Sequence, residues 1–218
     1  MRKLQLNEPI ENYKEFYGEI IYQMPKLIAE GRIPLSVYGL MEARLAASTG
    51  FNAVRSSWLD YSFETGDGIV YHPDGKVKLV HDASPLRELT SESKLSEGAL
   101  ILPEGIYEEL EGQKLTKTQV KKNTENYLSK KRILNNPFWQ FFAREDSDLL
   151  KEYAKLVSGY TKASENMAVF SRFSQDVPTM RFWSVQSLRS CRSFAIGNDL
   201  GRDSLCTYND RLVGVRAE

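Results

Sequence analysis

SVQSLRSCRSFAIGNDLGRDSLCTYNDRLVGVR, residues 184–216, contains no Lys, Glu, Met, Trp or Pro. The protein has fifteen lysines, and all of them lie at or before Lys162. Up to that residue about one position in five is Lys or Glu, so a window of this length would hold roughly six of them. Charge persists in the window as Arg and Asp, among Ser, Asn, Gly, Tyr, Phe and both cysteines of the chain. The bias therefore selects among residue types and does not simply exclude polarity.

The window separates into two populations. Trp183 just before it, then Val185, Leu188, Ala195, Leu200, Leu205, Leu212, Val213 and Val215, have the character of a buried scaffold. Hung on that scaffold are Ser184, Gln186, Ser187, Arg189, Ser190, Ser193, Phe194, Ile196, Asn198, Asp199, Arg202, Ser204, Cys206, Tyr208 and Asn209, which we take as the candidate ligand-binding residues. Their composition is that of an antibody combining site. Tyr supplies rigid amphipathic area, Ser, Gly and Asn supply adaptable hydrogen bonding, and Arg supplies bidentate anchors. Lys and Glu, which lose much rotamer freedom when pinned, are missing. Phe194, Tyr208, Arg189 and Arg202 are the expected anchors of affinity.

A coding argument sharpens this. Asn codons randomised at both adenines but ending in a pyrimidine encode Phe, Ser, Tyr, Cys, Leu, Pro, His, Arg, Ile, Thr, Asn, Val, Ala, Asp and Gly. They cannot encode Lys, Glu, Gln, Met or Trp. Gln186 is the one residue of the window outside that set.

With Phe182-Trp183, Leu188, Cys191-Arg192-Ser193 and the ending Arg211-Leu212-Val213-Gly214-Val215-Arg216, the segment resembles the variable region of proteins diversified by retroelements, especially those of archaea and their viruses. The matching part covers about residues 180–216. The resemblance implies a C-type lectin fold of the formylglycine-generating-enzyme-like subtype. It implies a non-catalytic binding protein whose C-terminal site is rewritten by an error-prone reverse transcriptase acting at template adenines. It further implies a protein or glycan ligand on a target cell surface, with display on a virion or a cell surface. The enzyme relatives require a closely spaced cysteine pair, and Cys191 and Cys206 do not resemble it, so catalysis is not carried over.

Outward from the window, the chain alternates helical and extended patterns. Residues 11–30 place Tyr13, Phe16, Tyr17, Ile20, Ile21 and Met24 at helical spacing, with Pro25 a kink or interruption and Gly31 a stop. Residues 35–47 predict a second helix. Residues 69–71 and 77–80 flank Pro73-Asp74-Gly75 and predict a β-hairpin. Residues 83–98 predict a loop, and ALILPEGIYEEL a strand running into a helical turn. Asn135-Asn136-Pro137 opens a helix, residues 146–162 form another, and AVFSRF, MRFWSV and RLVGVR predict strands. The sum is α+β: an N-terminal helical segment over 1–50, serving oligomerisation or particle attachment, then a lectin-like domain over 51–218 with its variable region at about 184–209. A homo-oligomer is the corresponding expectation.

Formal net charge is zero, so no global field favours nucleic acid. No apolar run reaches the ~20 residues of a membrane span, and the N-terminal residues lack the apolar core of a secretory signal. Two histidines, His72 and His81, do not suffice for an imidazole metal site; no cofactor and no metal are expected. A disulfide between Cys191 and Cys206 stays open. No P-loop, GxSxG or HExxH occurs. Two alternatives stand beside the binding protein: an enzyme on a formylglycine-generating-enzyme-like fold, or a nucleic-acid or protein adaptor using the basic segment 114–132. For that segment a solvated helix face is the simpler reading.

Overall fold

The structure, a computed structural model, describes residue 6, residues 12–124, 130–160, 167 and 169, and residues 176–188 and 211–216. In chain order these form β1 (Tyr13–Tyr17), α1 (Ile20–Ala29), β2 (Arg32–Pro34), α2 (Val37–Ser48), α3 (Asn52–Leu59), β3 (Phe63–Tyr71), β4 (Val77–Val80), α4 (Ser84–Arg87), β5 (Leu95–Ser96), β6 (Ala99–Ile101), α5 (Ile106–Glu109), β7 (Gln113–Leu115), α6 (Lys117–Asn123), α7 (Lys130–Leu134), α8 (Pro137–Phe142), α9 (Ser147–Tyr160), β8 (Thr179–Val185) and β9 (Arg211–Arg216). The architecture is mixed α and β, as the periodicities imply.

Among the described residues one sheet runs β1-β9-β3-β8-β6-β5, with β4 and β7 continuing from β3 and β2 set beside β9. Both faces are covered, which is why β3 and β8 are buried almost throughout. Their side chains alternate between two cores, as strand geometry requires. Phe63, Ile69, Trp183, Val185 and Val213 join the core under α2, α3, α8 and α9. Val70, Met180, Phe182 and Leu212 join the second, filled by Ile20, Met24 and Leu27 of α1. Burying a large apolar side chain contributes about 2 kcal/mol, so these strand faces and the helices over them hold each other in place.

The hairpin forms in the expected register, from Gly68↔Val80 to Tyr71↔Val77. Gly75 takes φ +84° at the turn and donates from its amide to His72 O. The Asn136 carboxamide caps α8, accepting from Phe138 N and Trp139 N. Asp146 does the same for Asp148 N and Leu149 N at the start of α9.

Three expectations are corrected. Residues 11–30 are not one helix: Tyr13–Tyr17 is a strand, and Gly18 at φ +127° turns the chain into α1. Aromatic residues favour a pleated surface as readily as a helix stripe, and the glycine breaks the apparent period. Pro25 lies inside α1 and does not interrupt it. The helical unit over 1–50 is likewise no appendage to a domain at 51–218. β1 pairs with β9 from Tyr13↔Val215 to Tyr17↔Arg211, and β2 pairs with its other edge at Pro34↔Gly214. Residues 83–98, expected as loop, carry α4 and β5. Of the strand expectations, MRFWSV and RLVGVR are β8 and β9, while AVFSRF lies largely outside the described residues.

Candidate functional site

β8 and β9 are the stems of the segment that carries most of the candidate residues. Both flank one residue of β3: Glu64 pairs with Ser184 on one side and with Leu212 on the other. Two strand spacings place the stems roughly 10 Å apart. The chain leaves the described residues at Leu188 and re-enters them at Arg211.

The outgoing stem is fastened by a buried cation. Arg44 of α2 is fully buried. Its Nε donates to Trp58 O at 2.9 Å, Nη1 to the Tyr153 hydroxyl at 2.8 Å, and Nη2 to Tyr61 O and Gln186 O at 2.9 and 3.0 Å. A buried charge is tolerable when its donors are all occupied, and a guanidinium offers five in a rigid fork. Here the acceptors are neutral, and the fork ties α2, the α3–β3 connection, α9 and the end of β8 together. Ser62 adds a second clasp: its hydroxyl donates to Gln186 Oε1 at 3.0 Å and accepts from Ser187 N at 3.1 Å. Leu188 N then donates to Leu59 O at 2.7 Å, and the Leu188 side chain enters the core.

The returning stem is fastened at the same place. Arg211 Nη1 pairs with Glu15 Oε1 of β1 at 2.6 Å, with the two side chains 11% and 12% exposed. Its guanidinium lies over the Tyr61 ring at 4.1 Å and the Tyr17 ring at 5.0 Å. Tyr61 thus serves both stems, with its carbonyl toward Arg44 and its ring under Arg211.

The structure places three of the candidate residues. Ser184 is 3% exposed inside β8, so its assignment to a presented binding surface is corrected: it belongs to the scaffold. Gln186 is half-buried and engaged through both its carbonyl and its side chain, and Ser187 is 9% exposed. Arg189, Ser190, Ser193, Phe194, Ile196, Asn198, Asp199, Arg202, Ser204, Cys206, Tyr208 and Asn209 lie outside the described residues, as does Cys191. The residues that hold the stems, Arg44, Tyr61, Ser62 and Glu15, went unread in the sequence. One signal was there: Arg44 falls three and four residues after Met41 and Leu40, on the apolar stripe of α2, where a charge needs a reason.

Elsewhere, Lys114 pairs with Glu108 at 2.8 Å, and α6 begins with a capping box between Thr116 and Gln119. Val120 faces the core while Lys117, Lys121 and Lys122 are exposed, the pattern of a solvated helix face. His72 closes the hairpin turn, its ring tilted against that of Tyr107 at 4.7 Å between centroids. Asp74 in that turn is held well below the usual carboxylate range, chiefly by hydrogen bonds from Lys76. Lys78 of β4 is buried and donates to the carbonyls of Tyr107 and Leu110; burial, and then Lys114, push its ammonium down. Among the described residues no three His, Cys, Asp or Glu side chains are grouped to hold a metal ion, and no helix is long and apolar enough to cross a membrane.

No protein-family model and no curated protein matches the sequence. Among solved structures the chain is similar to a protein from Nanoarchaeota, described as accommodating massive sequence variation by the C-type lectin fold. The TM-score is 0.68 at 16% identity, covering 97% of this chain and 100% of that one. This chain has a C-type lectin fold. In this C-type lectin fold the first and last described strands, β1 and β9, lie side by side, and the fastened stems open from the end of the sheet where Arg211 begins β9.

Proposed function

We propose that this chain is a non-catalytic ligand-binding protein whose site is carried by residues 189–209 and diversified at adenine-derived codons. The observation that supports it best is the double fastening at the α3–β3 connection. Gln186, Ser187 and Leu188 are held through Arg44, Ser62 and Leu59, and Arg211 through Glu15 and Tyr61. The framework atoms that do this are backbone carbonyls, backbone amides and residues outside 189–210. Stems fastened independently of the segment between them let its side chains change at little cost to the fold. Gln186, outside the pyrimidine-ending codon set, is then framework, with its carboxamide committed to Ser62.

In this reading the retroelement-type resemblance supplies the diversification, and the ligand is a protein or glycan on a target cell surface, met from a virion or cell surface. Its identity belongs to the particular variant, because specificity is set by side chains that differ between variants. The gene tests the diversification: codons 189–209 should have a near-copy close by, differing where the copy has adenine, next to a reverse transcriptase gene. A genome with neither removes the mechanism. Binding is tested by grafting residues 189–209 from a second variant with a known ligand; the ligand preference should move with the segment.

A further inference from the structure

A cavity of about 660 Å³ opens at the far end of β9, beside Val215 and Arg216, and is bounded by β2, the first turns of α2 and the α8–α9 turn. Five strand steps separate it from Arg211, roughly 16 Å, so it is distinct from the stems of the 189–210 segment. Its size is that of a small-molecule site.

Its charges are unevenly matched. Arg144 and Arg216 line it, both exposed, and neither has an ion pair or hydrogen bond to its guanidinium among the described residues. Glu42 faces the same space and likewise makes no ion pair there. Asp82, the other acid, is engaged by Arg87 at 3.3 Å. Among the described residues, the unpaired charges that line it are two guanidinium groups against one carboxylate, a balance that suits a monoanion and disfavours a dianion. Arg144 is placed by the end of α8. It and Glu145 take φ +53° and +59° in succession and close the helix, Arg144 N donating to Phe141 O and Glu145 N to Gln140 O. The turn sets the Arg144 guanidinium 5.4 Å over the Tyr38 ring at the cavity wall.

We propose that this cavity binds a small monocarboxylate bearing hydroxyl groups, its carboxylate forked by Arg144 and Arg216 and a hydroxyl donated to Glu42. The planar guanidinium matches a carboxylate in two parallel hydrogen bonds, while the Tyr38 hydroxyl at the cavity wall is engaged with Asp146 Oδ2 at 3.4 Å. This site is independent of the variable-segment reading and neither requires nor supports it.

Saturation-transfer and titration NMR on the full chain with D-glucuronate, glucose and glucose 6-phosphate test the assignment. Glucuronate should bind saturably, glucose at least tenfold more weakly for want of the carboxylate, and glucose 6-phosphate more weakly than glucuronate. Arg144→Gln and Arg216→Gln, at exposed positions, should each weaken glucuronate about tenfold with unchanged circular dichroism. Glu42→Gln should narrow the preference for glucuronate over glucose 6-phosphate severalfold, a readout that remains if an arginine variant unfolds. No saturable glucuronate binding, equal binding of glucose, tighter binding of the phosphate, or an unchanged preference in Glu42→Gln would each overturn it.

Discussion

Arg44 shows how one buried side chain can tie a fold to the border of a candidate site. Among the described residues its guanidinium has no carboxylate partner, and its bonds go to three carbonyls and a hydroxyl. Arg44→Met is therefore expected to cost about 3 kcal/mol in urea denaturation, from acceptors left unpaired in the core. Arg44→Lys should restore less than half, because one ammonium cannot reproduce the fork. A loss under about 0.5 kcal/mol for the methionine variant would mean that the carbonyls find other donors. On the returning stem, the Arg211–Glu15 pair is mostly shielded, and a double-mutant cycle with Arg211→Gln and Glu15→Gln should return a coupling of about 1 kcal/mol. Additive single effects would reduce the pair to proximity. Asp74 in the hairpin turn and Glu108 in α5 both sit below their ordinary values, held there chiefly by Lys76 and Lys114 respectively. A carboxyl with a depressed folded pKa contributes stability that is present above its unfolded value, near 4, and is lost as pH falls through the folded one. Wild type should therefore lose more stability than Asp74→Asn between pH 6 and pH 3, with the difference shrinking in high salt, since both groups are solvent-screened. Parallel pH profiles for the two proteins would contradict this.

At the scale of elements, β9 is the strand on which the fold closes. It takes β1 on one edge, while β2 and β3 share the other. Gly214 sits opposite both Lys14 and Pro34, and a Cβ there would lie 3.0 Å from Leu27 Cγ and Phe16 Cε2. Gly214→Val should destabilise by about 2 kcal/mol through overpacking, read as a lower thermal midpoint; an unchanged midpoint would mean that α1 shifts freely. The hairpin, the α8 and α9 starts and the two terminal strand motifs were legible because local chemistry names them: Pro-Asp-Gly for the turn, Asn136 and Asp146 for the caps, alternation in MRFWSV. β1 was not legible. Its aromatics satisfy two periods at once, and what selects the strand is β9, nearly two hundred residues away. The composition of residues 184–216 marked the candidate region without saying how its stems are held. Arg44 and Ser62 act on groups at the end of β8 and Glu15 on the Arg211 guanidinium, all brought near by topology, and no local pattern encodes that.

For the whole molecule, the account is a C-type lectin fold whose described residues form a body bordering the proposed variable segment. Two cores on either face of one sheet supply the body's stability, and the strands that border the segment, β8 and β9, are both rooted in those cores. The N-terminal strands complete the sheet, so removing residues 1–18 should unfold the protein and not merely detach an accessory; a cooperative, native-like melt of the truncated chain would contradict that. The most direct test of the central claim is thermal denaturation of a set of chains in which residues 189–209 are replaced by unrelated Ser-, Asn-, Gly- and Tyr-rich sequences of equal length, with Leu188 and Arg211 kept. The account predicts cooperative melts within a few degrees of wild type across the set, because the stems are held by Arg44, Ser62 and Glu15. Loss of cooperative folding in most of the set would show that the segment is part of the core and not a site hung upon it.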